Sequence, residues 1–147
     1  MNKLLTTITL LCFSVAANCQ TAEEIALGAT DKFLQAFNAK NHNEWAATLH
    51  YPHIRFSNGI VQSWESEADY ADMARTRFVT LVNNGWDYTV WLNREVTLSS
   101  PDKIHVTTEF ERFKASNESL GKYQALYIVT KIEGKWGVQG ISSITPY

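Results

Sequence analysis

Two histidines, a tyrosine and an arginine crowd one proline in the stretch Leu49-His50-Tyr51-Pro52-His53-Ile54-Arg55. Imidazole titrates near neutrality, at roughly 6.5, so it can both accept and donate a proton there. A guanidinium is a permanent cation whose fork of donors suits carbonyl and carboxylate oxygens. On a strand beginning at His53, the side chains of His53, Arg55 and Ser57 point one way while Ile54 and Phe56 point the other. That sets a base beside a cation. The chemistry it would serve is acid/base catalysis without a cofactor, with His53 as base and Arg55 or Tyr51 as the polarising partner. The same alternation also describes the solvent side of an edge hairpin, or a pair bonded to backbone and to acids of a neighbouring helix. Both readings stand at this level.

His50 and His53 have the spacing HxxH, but Pro52 interrupts any helix that would bring them to one face. A third ligand would have to come from His105 or Glu109, and nothing has the regularity of HExxH. No metal site and no cofactor is therefore expected. His105, Thr107, Glu109 and Glu111 form the polar side of a strand whose other side is Ile104, Val106 and Phe110. With the apolar side inward, those four lie on the outside of a sheet, where solvent or a dimer contact would meet them.

Five tryptophans and six tyrosines are many for a chain of 147 residues. Tyr51, Trp64, Trp91 and Tyr127 are candidates to line a pocket for a small, largely apolar molecule bearing one polar group. Aromatic residues also fill the core of a curved sheet and a dimer interface, which is the competing use for each of them.

The elements that must position these residues follow from periodicity. Ile25, Ala29, Phe33 and Phe37 recur every four residues behind the capping-box pair Thr21 and Glu24, so a first helix opens there. Asn43 is placed to cap a second, short helix running through Trp45 and Leu49, with Pro52 as its stop. His53 to Phe56, the turn Asn58-Gly59 and Ile60 to Trp64 predict a β-hairpin. A third helix opens at Ser66, carries Tyr70, Ala74, Phe78, Leu81 and Val82 on one side, and ends at Gly85. From Tyr88 onward the chain alternates as strands, broken by Pro101-Asp102, by Ser116 to Gly121 and by Glu133-Gly134. Helices followed by strands on short turns argue an α+β fold with a mainly antiparallel sheet.

Met1-Asn2-Lys3, an apolar stretch from Leu4 to Ala17 and small residues around Cys19 read as a cleaved export signal over residues 1–19. Residues 20–147 would then form one domain, periplasmic or secreted. A lipid on Cys19 is the alternative, although Ala16-Ala17-Asn18 lacks the larger aliphatic residue usual before a lipid-bearing cysteine. Cys12 and Cys19 are the only cysteines, so a chain starting at Gln20 has no disulfide and no thiol chemistry. With 13 basic against 15 acidic residues, nucleic acid is not an expected partner.

The order helix, short helix, hairpin, helix and four long strands resembles the nuclear transport factor 2-like superfamily, which includes SnoaL-like cyclases and ketosteroid isomerases. Leu49 to Arg55, Gly85-Trp86 and Gly134-Lys135-Trp136-Gly137-Val138 look like exported bacterial members. The resemblance implies a cone: three N-terminal helices wrapped by a strongly curved sheet, a pocket at the open end, and a homodimer across the sheet. Where ketosteroid isomerases hold their proton-shuttling aspartate, this chain reads Arg55-Phe56-Ser57-Asn58-Gly59, without a carboxylate. That departure removes the steroid-isomerase mechanism. It leaves either His53-based chemistry or a non-catalytic binding or assembly module of the cell envelope.

Overall fold

The computed structural model describes residues 20–144, so the expected export signal and Cys19 lie outside the described residues. Thr21 caps α1 (Ala22–Asn38) through the reciprocal capping box with Glu24. The helix buries Ala26, Ala29, Thr30, Phe33, Ala36 and Phe37, a stripe at helical spacing that faces the sheet. Ser66 caps α3 (Glu67–Asn83), which buries Tyr70, Ala71, Ala74 and Phe78. Val82, expected on that apolar side, is exposed. Gly85 takes a left-handed φ of 86° just past the helix end.

Two expectations about the second helix are corrected. α2 spans His42–Ala47 under an Asn41 cap, and strand β1 (Leu49–Ser57) begins immediately after it. Pro52 therefore does not stop a helix; it sits inside a strand, after a cis Tyr51-Pro52 bond. The position tolerates proline because neither ladder uses it. Pairing with β6 shifts register between Leu49 and Ile54, and pairing with β2 starts only at His53.

β2 (Ile60–Trp64) returns through Asn58-Gly59, both at positive φ as a two-residue hairpin turn requires. β3 (Tyr88–Ser99), β4 (Lys103–Phe113), β5 (Ser119–Ile132) and β6 (Lys135–Ile144) complete an open six-stranded sheet in the order β2-β1-β6-β5-β4-β3. All neighbours run antiparallel except β1 and β6. The fold is thus the expected α+β NTF2-like cone. A bulge at Leu92 changes which residues of β3 face inward: Thr89 and Trp91 pair opposite Arg112 and Phe110 before it, Arg94 and Val96 opposite Thr108 and Val106 after it. Asn38 at the end of α1 fixes this strand to the helix, its side chain bonding both the N–H and the carbonyl of Thr89. The core is built on aromatic rings. Trp45 meets Phe33, Phe37, Tyr70 and Phe78 with centroids 4.9–5.4 Å apart.

Candidate functional site

The polar side of β1 points into the cone. His53 is fully buried and Arg55 is 8% exposed, whereas Ile54 and Phe56 are exposed. Across the ladder Arg55 pairs with Ile141, which in turn pairs with Tyr127, so Arg55 lies in the row of inward residues. This is the reverse of what side-chain polarity alone would favour, and it gives the interior a charge.

Two further charges join it. Arg77 stands seven residues after Tyr70 on the buried stripe of α3, and Arg112 follows Ile104, Val106, Thr108 and Phe110 on the inward side of β4. Neither was among the expected site residues. Both carried a legible signal, a cation at a position whose periodicity faces the core.

Arg55, Arg77, Phe110 and Arg112 line two adjoining hollows. The inner one reaches Phe33, Phe37, Trp45, Trp91 and Tyr127, and encloses an empty volume of about 340 Å³. Its walls stand so close that its deepest part admits little more than one water molecule. The outer hollow forms a mouth of about 520 Å³ among Ser57, Asn58, Tyr123 and Ser143. The three arginines line both hollows, and among the described residues no Asp or Glu lines either.

Their hydrogen bonding is incomplete. Among the described residues, the Nε atoms of Arg55, Arg77 and Arg112 and the N–H of Trp91 are buried and lack an acceptor. Arg55 Nη2 donates to Ser143 Oγ at 3.2 Å. Arg112 lies over the Tyr123 ring at 4.8 Å and near Phe110 at 5.7 Å, rings that stack on each other at an interplanar angle of 12°. Burial pushes Arg77 down to about 10, and the neighbouring charges of Arg55 and Arg112 add to it. Burial also holds Arg112 below its ordinary value. Burial raises the phenols of Tyr70 and Tyr127 to about 12, so both stay protonated. Arg94 shows how this fold treats an arginine it means to neutralise: Nη1 reaches Asp31 Oδ1 at 2.7 Å and the Leu27 carbonyl at 3.0 Å.

The expected site residues divide. Arg55, Trp91 and Tyr127 meet in the inner hollow. His53 lies behind it, edge-on to Tyr70 at 5.2 Å and 6.0 Å from Trp64. Its Nδ1 sits 3.3 Å from the Val138 carbonyl, which can only accept, so Nδ1 carries the proton and the buried Nε2 is left without a partner. Burial holds this imidazole down to about 4, and the Arg55 charge also lowers it, so it is neutral at neutral pH. Trp64 packs against Tyr70 at 5.1 Å. Tyr51 donates its hydroxyl to the Ala46 carbonyl at 2.8 Å, and burial keeps its phenol above the ordinary value. Neither Trp64 nor Tyr51 lines the two hollows. His50 bonds Thr130 through Nδ1 at 2.8 Å, and no group of three or more metal-ligating side chains gathers among the described residues.

A family model for NTF2-like proteins, DUF6841, matches residues 23–146. The chain belongs to this NTF2-like family. Its fold is shared by solved structures of low sequence identity. An NTF2-like protein of unknown function from Shewanella oneidensis is 11% identical, with a TM-score of 0.68 over 84% of this chain and 98% of that one. A domain of unknown function with a cystatin-like fold from Nostoc punctiforme is 16% identical, with a TM-score of 0.68 over 88% and 80%. A ketosteroid isomerase-like protein from Erwinia carotovora is 21% identical, with a TM-score of 0.62 over 86% and 100%. No curated protein matches the chain in sequence. At these identities the neighbours of this DUF6841 member speak for the fold alone. No helix among the described residues is long and apolar enough to cross a membrane.

Proposed function

We propose that this DUF6841 domain is an exported binding protein that takes a small molecule at the open end of its cone, holding a polar group at the junction of the two hollows and an apolar part against the surrounding rings. The observation that carries the reading is the set of buried, unpartnered donors on Arg55, Arg77, Arg112 and Trp91. A buried donor without an acceptor costs about 1–3 kcal/mol. A ligand that supplies the acceptor recovers that cost. The apolar part must be small, because the inner hollow is nearly filled by side chains.

Thermal unfolding across a library of small acids, amides and neutral aromatics tests the reading, since a ligand of the native state raises the apparent melting temperature. At least one class is expected to raise it and to quench tryptophan fluorescence through Trp91. If no class does, the binding reading fails. Export predicts a mature N-terminus at Gln20, read by mass spectrometry of the protein from its host. We also propose a homodimer across the outer sheet face, where Leu92, Leu98 and Ile144 are 42–63% exposed. Sedimentation at micromolar concentration checks it.

An acid/base enzyme is the second reading, favoured by the buried and unpartnered Nε2 of neutral His53. It requires a ligand-induced movement that opens His53 to the cleft. Loss of turnover in His53→Gln with ligand affinity retained is its signature.

A further inference from the structure

We propose that the polar group received by the cone is an oxyanion, a carboxylate or phosphate on a small organic molecule, seated among Arg55, Arg77 and Arg112. This rests on the small-molecule reading above and adds the chemical class of the ligand.

Three observations carry it. The guanidiniums come from β1, α3 and β4, yet all three line both hollows. None takes part in the ion pairs among the described residues, which join Lys40 to Asp87, Arg75 to Asp72, Arg94 to Asp31 and Lys114 to Glu118. Their Nε donors are buried and unused. The chain as a whole is acidic, with net charge −2, so this concentration of positive charge is local to the cleft. Three cations with no counter-charge among the described residues repel one another in a medium that screens poorly, and a neutral acceptor leaves that repulsion in place. An oxyanion removes it and accepts the idle hydrogen bonds as charge-assisted ones. Flanking donors are at hand in the hydroxyls of Ser57, Ser143 and Tyr123 around the mouth. The stack of Arg112 on Tyr123 and Phe110 holds one guanidinium plane in place and offers a flat apolar wall beside it. A carboxylate engages one guanidinium fork; a phosphate has an oxygen for each of the three.

Matched probes test this on the full folded chain: phenylacetate, its neutral isostere phenylacetamide, phenyl phosphate and inorganic phosphate, by calorimetric titration and thermal shift. The acid or the phosphate ester is expected to bind at least about tenfold more tightly than the amide. The tighter of the two identifies the head group. Inorganic phosphate binding as tightly as the ester would assign a phosphate head with no contribution from the body. Arg55→Gln, Arg77→Gln and Arg112→Gln, checked for native circular dichroism, are each expected to weaken oxyanion binding about tenfold or more and to weaken amide binding by less. Equal binding of acid and amide, or unchanged oxyanion binding in all three variants, overturns the oxyanion while the cone remains a binding site. Absence of binding by every probe overturns both.

Discussion

Replacing Arg77 by methionine is expected to stabilise the empty protein, although it removes a residue of the binding cleft. The guanidinium sits among Arg55, Arg112 and the phenols of Tyr70 and Tyr127, and burial first, then Arg55, lowers its pKa from the ordinary guanidinium value to about 10. A cation whose folded pKa lies below its unfolded value burdens the folded state at every pH below the folded value. The burden fades only as pH climbs from about 10 toward the ordinary guanidinium value. At about 1.4 kcal/mol per pH unit, the gap corresponds to about 3 kcal/mol at neutral pH. Arg77 keeps some contact with solvent, so part of this is screened and a gain of about 1–3 kcal/mol is expected. Methionine has a similar length, no charge and enough flexibility to fill the space beside Phe110 and Tyr127. Urea unfolding in a buffer free of oxyanions reads the effect as a higher midpoint at an unchanged slope. Added phosphate, if it is the head group, should then raise the wild-type midpoint more than the variant's. A variant less stable than wild type by more than about 1 kcal/mol would refute the reasoning, since it would mean that Arg77 is held by favourable interactions rather than tolerated for a ligand.

His53 should make stability depend on acid. Its folded pKa, about 4, lies below the unfolded 6.5, so its contribution is fully present above pH 6.5 and is lost as pH falls from 6.5 toward 4. The amount lost is about 3 kcal/mol. His50 is lowered too and shares the window, so the readout is the difference between the pH–stability curves of wild type and His53→Gln; parallel curves would remove the assignment. Gly137→Ala should destabilise by about 1–3 kcal/mol, because a Cβ there would sit 2.7 Å from His50 Cδ2 while Thr130 holds that ring. In His50→Ala the same change should cost much less, and equal costs in both backgrounds would locate the strain elsewhere.

Much of the scaffold is legible in the sequence because it depends on local chemistry. The Thr21–Glu24 capping box, the Ser66 cap, the left-handed Gly85 and the Asn58-Gly59 turn all lie where short-range rules put them. The start of β1 is not, because Pro52 has the same sequence signature at a helix end as in a gap between two ladders. The bulge at Leu92, which decides that Trp91 and not Leu92 faces the cleft, depends on strand pairing rather than composition. For the candidate site, the inward Arg55 is the instructive case. Polarity favours sending Ile54 and Phe56 inward, and the opposite orientation places a charge inside the cone with no carboxylate beside it among the described residues. Arg77 and Arg112 occupy inward positions by simple periodicity. They are found by continuing each apolar stripe past its last apolar residue.

The three guanidiniums come from residues 55, 77 and 112, on three elements that meet only in the finished fold. No fragment of the chain carries all three, so an oxyanion bound as proposed would distinguish the folded protein from every partly folded form, and its affinity would be part of the folding equilibrium. A melting temperature of this protein would then be a property of protein and buffer together. On that proposal, a value measured in phosphate and one measured in a buffer without oxyanions describe two different thermodynamic systems.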